Sequence, residues 1–145
     1  MLHKTKSIVL NTRPFKETSV IAKIYTEKFG IQSYIINGVR TNKPRQKAAS
    51  LQQLSILEMV VYKREHKNLE RIAEYKPLHI YYNIPFDKDK RLVLLFIAEL
   101  LGKCLKEEEA NSDLFDFLEK SFLELDKPTA SGPHWHLKFM LQLSQ

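Results

Sequence analysis

The sequence contains a single cysteine, Cys104, in 145 residues. A lone thiol excludes an internal disulfide and a zinc cage of several thiolates, and it fits a reducing compartment. Glycine and proline are sparse, at 4 and 6 residues, while 43% of the chain is hydrophobic. Such a composition describes a chain with a core, not a linker or a disordered segment. Long apolar runs are missing too. The longest, Leu92 to Ala98, falls far short of the roughly 20 residues of a membrane-spanning helix. Near the start, the run Ile8 to Leu10 ends before an export signal could form. These absences predict a soluble, cytoplasmic protein of one compact domain, or a small domain joined to part of another.

Acid is missing locally. From Lys28 to Leu57 there is no Asp or Glu, and the stretch Asn37 to Lys47, "NGVRTNKPRQK", carries Arg40, Lys43, Arg45 and Lys47. The net charge of +6 conceals an asymmetry: residues 1–80 hold 15 Lys+Arg against 6 Asp+Glu, and residues 81–145 hold 8 against 11. A cationic surface that binds phosphate needs carboxylates kept away, because a neighbouring acid cancels the field and competes for the same side chains. The basic half is therefore the candidate for contact with a polyanion.

The first half reads as strands. "KTKSIVLNT", "TSVIAKIYT" and "IQSYIINGV" alternate or are rich in β-branched residues, and "EKFG" turns between the last two at Gly30. "LQQLSILEMVVYKR" is a longer strand candidate, "NLERIAEYK" a fifth, and "KAASLQQL" has the look of a helical turn. "KPLHIYYNIPFD" reads as an extended connector packed against something. Beyond it the period becomes helical. Asp87 or Asp89 caps "KRLVLLFIAELLGKCLKEEE", which is apolar around nearly its whole circumference and is expected to be buried centrally. Asn111 or Ser112 opens a second helix with Leu114, Phe117, Leu118, Phe122 and Leu125 on one face. "HWHLKFMLQLSQ" begins a third that stops without a breaker, which is expected of a helical domain incomplete at its C-terminus.

The fold expected is a five-stranded OB-fold barrel over residues 1–80, followed by an α-helical domain over residues 81–145. An SH3-like barrel competes, since strand count does not exclude it. On the OB reading, nine basic residues gather on three connectors. Arg13 and Lys16 flank Phe15 between strands one and two. Arg40, Lys43, Arg45 and Lys47 lie between strands three and four, and Lys63, Arg64 and Lys67 between strands four and five. Lys23, on the second strand, joins them as a candidate phosphate contact. Phe15, Tyr25, Phe29, Tyr34 and Tyr62 interleave the charges. Phe15 and Tyr34 are the candidates for stacking on a base, worth about 1–3 kcal/mol each. The competing reading is that such aromatics are core and such loops merely solvated.

Nothing argues for catalysis or for a metal or cofactor. His134 and His136 point to different sides of a helix without a completing ligand, and Cys104 reads as a small core residue. No Gly-rich phosphate loop or nucleophilic triad is present.

The stretch "VLNTRPFKETSVIAKIYTEKFGIQSYIINGVR", then "LQQLSILEMVVY" and "NLERIAEYKPL", resembles the N-terminal half of the RecO family of bacterial recombination mediators and DNA repair proteins. The features that carry it are the Glu17-Thr18 turn, the "YTEKFG" hairpin, the "NGVR" exit and the "LQQL" entry, with "YYNIPFDKDKRLVLLFIAELLGKC" resembling the start of the family's helical domain. The resemblance implies an OB-fold, a helical domain, and in many members a later zinc-binding cysteine cluster. It also implies binding of single- and double-stranded DNA and strand annealing. The implied partners are the C-terminal tail of single-stranded DNA-binding protein, RecR and RecF, which together help RecA to load. Two other readings stand beside it: an adaptor that docks a protein on its helical half, and an RNA-binding OB-fold protein of the translation machinery.

Overall fold

The computed structural model describes residues 2–37, 52–62, 69–105, 110–128 and 132–143. Five strands, β1 (Leu2–Phe15), β2 (Ser19–Thr26), β3 (Gly30–Ile36), β4 (Ile56–Tyr62) and β5 (Leu69–His79), close a barrel in the order β1-β2-β3-β5-β4. Neighbours pair antiparallel except β3 and β5, which run parallel where Ser33–Ile35 meet Leu69–Arg71. Successive hairpins alone cannot produce that parallel pair, so the chain crosses over to close the barrel. This is OB-like architecture, and it decides between the two barrels that strand count left open. β1 extends to Phe15, beyond the alternating stretch, and β4 is shorter than the hydrophobic run from which it was read.

Alternation gives the strands two apolar faces. Val9, Val20, Ala22, Ile24, Tyr34, Ile36, Leu57, Met59 and Val61 fill the barrel. Their neighbours Ile8, Leu10, Tyr25 and Ile56 point outward into a second core shared with the helices. A β-bulge between Val9 and Asn11 bends β1 at Leu10, where the strand passes from pairing mainly with β4 to pairing with β2. The β2–β3 hairpin turns at Gly30, whose φ of 70° lies where only glycine is unstrained. The Thr26 hydroxyl holds this turn, donating to the Gly30 carbonyl at 2.8 Å and accepting from the Phe29 amide at 3.0 Å.

The helices are α1 (Lys88–Cys104), α2 (Ser112–Leu125) and α3 (Gly132–Leu143). Asp87 caps α1 by accepting from the amides of Asp89 and Lys90, and Asn111 caps α2 by accepting from Leu114. The apolar face of α2 buries Phe115, Leu118, Phe122 and Leu125. Trp135 and Phe139 of α3 stack on each other at 4.9 Å, and the Trp135 indole donates to the Ser121 carbonyl at 2.7 Å. Contrary to expectation, α1 is not buried all round. Ile97, Ala98 and Leu101 are buried, whereas Leu92, Leu95 and Phe96 are about half exposed. The barrel and the other helices cover only one side of it. Its all-round apolar pattern therefore reflects an open face and a packed one, not central burial.

One carboxylate fixes where the helices begin. Asp126, just past α2, accepts from the backbone amides of Tyr82, Asn83 and Ile84 at 2.8, 2.8 and 2.9 Å. The Asn83 side chain donates to the Asp126 carbonyl at 2.6 Å. Buried Lys90 ties the same corner, donating to the Lys127 carbonyl at 2.5 Å. From the barrel side, the Tyr81 hydroxyl donates to the Leu54 carbonyl at 2.6 Å. Leu54 holds a left-handed φ of 61° with its side chain fully buried, an arrangement that persists only because core packing over-determines it.

Removing the Asp126 carboxylate strands several amides at once. Asp126→Ala is expected to lower unfolding stability by about 2–4 kcal/mol, read from the urea midpoint, with Asp126→Asn recovering part of the loss. A second expectation concerns alkali. Burial, then Asp126 and then Glu119 push the Tyr81 hydroxyl above its ordinary 10.0, and burial followed by Glu70 does the same to Tyr34. A folded value above the unfolded one contributes stability that is complete below the unfolded value and lost as pH rises past it. Stability should therefore fall above about pH 10. Tyr81→Phe should cost about 1 kcal/mol at neutral pH and make that alkaline fall shallower.

Candidate nucleic-acid interface

Strand register brings the first turn and the exit of β3 to one end of the barrel, whereas β5, parallel to β3, is entered from the side of the β2–β3 turn. Phe15 pairs with Ser19 across the first turn, Val20 pairs with Ile36 at the exit of β3, and Ile35 pairs with Arg71 near the start of β5. The Ser19 hydroxyl hydrogen-bonds to Oδ1 of Asn37 at 2.8 Å, directly joining the first turn to the β3 exit. Arg40, Lys43, Arg45, Lys47, Lys63, Arg64 and Lys67 lie outside the described residues, as does most of "KAASLQQL". What the structure fixes is that the first turn and the β3 exit meet, and that β5 begins at Leu69 opposite Ser33, midway along β3.

The outer face of the sheet beside that end shows a second feature. Arg13 pairs with Ile21, Ile21 with Ile35, and Ile35 with Arg71. Directly paired residues project to the same side, so Arg13, Ile21, Ile35 and Arg71 form one row across four strands. The next row, Asn11, Lys23, Ser33 and Leu69, follows the same pairing. Neither row contains an acid. Both arginines are exposed and form no ion pair among the described residues, and Ile21 and Ile35 belong to neither hydrophobic core. The acid of β5 in this region, Glu70, is 3% exposed and points inward beside Tyr34. Glu17, in the turn itself, is exposed.

Individual candidates separate clearly. Arg13 is exposed, but it lies on β1 and not on the connector. Lys16 is exposed in the turn, its ammonium 5.3 Å from the centre of the half-buried Phe15 ring. That is a cation–π contact which occupies a face of the ring. Tyr34 cannot stack on a base. It is 1% exposed, because its place on β3 opposite Ala22 and Glu70 turns it into the barrel. Tyr25 likewise is buried against Phe115 of α2, with ring centres 5.9 Å apart. Lys23 is spent structurally: its ammonium donates to the Gly102 carbonyl at 3.0 Å, near the C-terminal end of α1 where a cation is favoured. Arg71 escapes sequence reasoning, because a cation inside a strand pattern gives no loop signal and only the register shows which face it occupies. The side chains of Cys104, His134 and His136 lie outside those described. Among the described residues no cluster of three His, Cys, Asp or Glu could hold a metal, and no helix is long and apolar enough to cross a membrane.

Comparison with known proteins agrees with this architecture. Residues 1–81 match the family model "Recombination protein O N terminal", and residues 85–145 match "Recombination protein O C terminal". The chain belongs to the RecO family. It is 37% identical over 145 residues to the DNA repair protein RecO of Phocaeicola vulgatus, all of this chain aligning with 60% of that protein. It is 36% identical over the same length to the RecO of Bacteroides fragilis, again with 60% of the relative covered. The RecO of Christiangramia forsetii is 34% identical over 146 residues. The chain thus spans about 60% of the length of the curated relatives it matches. The two RecO matches meet in the connector that Asp126 clamps.

Lys16 offers a test of the turn. Its φ of 57° is a left-handed conformation that costs a side-chain-bearing residue about 1–2 kcal/mol. Lys16→Gly relieves that strain at some cost in unfolded-chain entropy, so stability should hold or rise by up to about 1 kcal/mol in urea melts.

Proposed function

We propose that this chain acts in DNA repair and recombination as a non-catalytic mediator that binds single- and double-stranded DNA without regard to sequence. The barrel, residues 1–80, carries the DNA contact, and the helical part, residues 81–145, is for partner proteins. The observation that carries the reading is the acid-free outer face with its Arg13–Ile21–Ile35–Arg71 row, set beside the first turn and the β3 exit that leads into the acid-free basic stretch. In OB-folds the face of strands two and three, together with the connectors after the first and fourth strands, is where oligonucleotides lie.

Arg13, Lys16, Arg40, Lys43, Arg45, Lys47, Lys63, Arg64 and Lys67 hold phosphates, joined by Arg71 and without Lys23. Contacts of this kind position a strand and carry no sequence information. Annealing then requires no bond chemistry: cations shield two backbones while base pairing supplies the recognition. Within the RecO reading, RecR, RecF and the tail of single-stranded DNA-binding protein are the expected partners, RecA loading is the expected outcome, and the nucleoid is the expected place of work. The half-exposed Leu92, Leu95 and Phe96 on α1 support a protein-docking role for the helical part. That observation also favours the adaptor reading, which becomes the sole one if no oligonucleotide binds.

The test is salt. With Arg40, Lys43, Arg45 and Lys47 changed together to Ala, affinity for a fluorescent single-stranded oligonucleotide should fall. The slope of log affinity against log salt should flatten by about 0.7 for each phosphate that the variant no longer neutralises. An unchanged slope removes this connector from the interface. Competition between DNA and RNA strands of one sequence separates repair from an RNA-binding role.

A further inference from the structure

The face that register assembles has an unusual lining for a surface that receives a single strand. Proteins that hold single strands indiscriminately commonly combine a cationic groove with aromatic rings on which the bases stack. Here the centre of the row is aliphatic. Ile21 and Ile35 sit side by side on β2 and β3, with Arg13 on one flank and Arg71 on the other. The aromatic residue that sequence places in this region of β3, Tyr34, is turned into the barrel. Of the rings at the rim, Phe15 lies under the Lys16 ammonium, and Tyr62, 40% exposed, ends β4 opposite Leu2, away from the isoleucine pair at the centre of the row. From β1 to β5 along the row there are three strand spacings, so the two arginines are rooted about 14 Å apart. They are placed to take separate phosphates of one strand, which would cross the two isoleucines between them.

We propose that this face is a cradle that binds a single strand through its backbone and leaves its bases unstacked and turned outward, open to a complementary strand. The proposal rests on the DNA-binding reading above and adds the orientation of the bound strand. Branched aliphatic side chains pack against the apolar parts of the sugars but present no π-face to a base. A guanidinium pairs with phosphate in a bidentate fork and holds the strand without covering its Watson–Crick edges. A strand held in this way pays no unstacking cost from the protein when its complement arrives. On an aromatic platform, every base would first have to leave a ring.

The experiment inserts the missing ring. Ile35→Tyr, and separately Ile21→Tyr, place an aromatic at a half-buried outward strand position that favours one, so the barrel is expected to tolerate either change; near-native circular dichroism identifies the variant to use. Each should bind a single-stranded oligonucleotide at least about fivefold more tightly, with the salt slope unchanged, because stacking adds affinity without adding charge. The rate at which each anneals complementary strands should fall by a similar factor. Thymines in a strand bound to the wild-type protein should keep the permanganate reactivity of the free strand and lose it on the tyrosine variant. Unaltered affinity in both variants, or tighter binding with undiminished annealing, overturns the cradle. Protection of thymines by the wild-type protein overturns it as well. If the wild-type chain binds no oligonucleotide at any salt concentration, the DNA-binding reading fails, and that result is distinct from a failure of the cradle alone.

Discussion

The outer wall of the barrel is apolar where the helices meet it, and the rest of the structure follows from the need to cover that wall. Ile8, Leu10, Tyr25 and Ile56 project from β1, β2 and β4 away from the barrel interior and are essentially inaccessible to water. Each such side chain contributes about 1.5–3 kcal/mol when buried and would be a liability if left exposed. α1, α2 and α3 supply the cover, with Phe115, Leu118 and Phe122 of α2 meeting the strands in one continuous cluster. The barrel and helices therefore share a core, even though family comparison divides them near residue 81.

Covering one side of the barrel decides what the other side is free to do. Along β2 the outward residues pass from Tyr25, buried under α2, through Lys23, tied to the end of α1, to Ile21, which belongs to neither core. The transition takes only four residues, and it separates a structural surface from an open one. The charge pattern follows the same line. Away from the open face, cations are neutralised locally: Lys6 meets Glu119 of α2 at 3.4 Å, and on the strands Glu58 takes both Lys4 and Lys76, at 2.5 and 3.7 Å. On the open side Arg13 and Arg71 form no ion pair among the described residues. Cations already matched by carboxylates would add little to a polyanion site, so their segregation is what gives the open face a usable field.

The sequence disclosed much of this because the signals involved are local. The strands were legible from alternation and β-branching, the Gly30 turn from the need for positive φ, and the α1 and α2 starts from Asp87 and Asn111 as side-chain acceptors. What escaped depends on partners distant in the chain. Tyr34 looks the same in sequence whether it faces water or the barrel, and only its position opposite Ala22 and Glu70 decides. The pattern of α1 was legible, but the number of neighbours around it was not, so an apolar circumference passed for central burial. Asp126 gives no signal at all, since its value comes from three amides more than forty residues away.

The same distinction explains why the basic connector stands out in the sequence and the sheet face does not. A run of cations without acids is visible in one dimension, whereas the Arg13–Ile21–Ile35–Arg71 row exists only after four strands have been registered. A one-residue slip of β5 would turn Arg71 into the barrel and bring Glu70 to the surface, replacing a cation with a carboxylate at the flank of the row. Register is held against such a slip by the interior side chains, since moving Arg71 inward would bury an unpaired guanidinium beside Tyr34 and Ile36 and turn Ile72 out to water. The polarity of the open surface is thus enforced by the packing of the closed one. That is why an apolar interior can hold charge of a single sign at a chosen place on the surface.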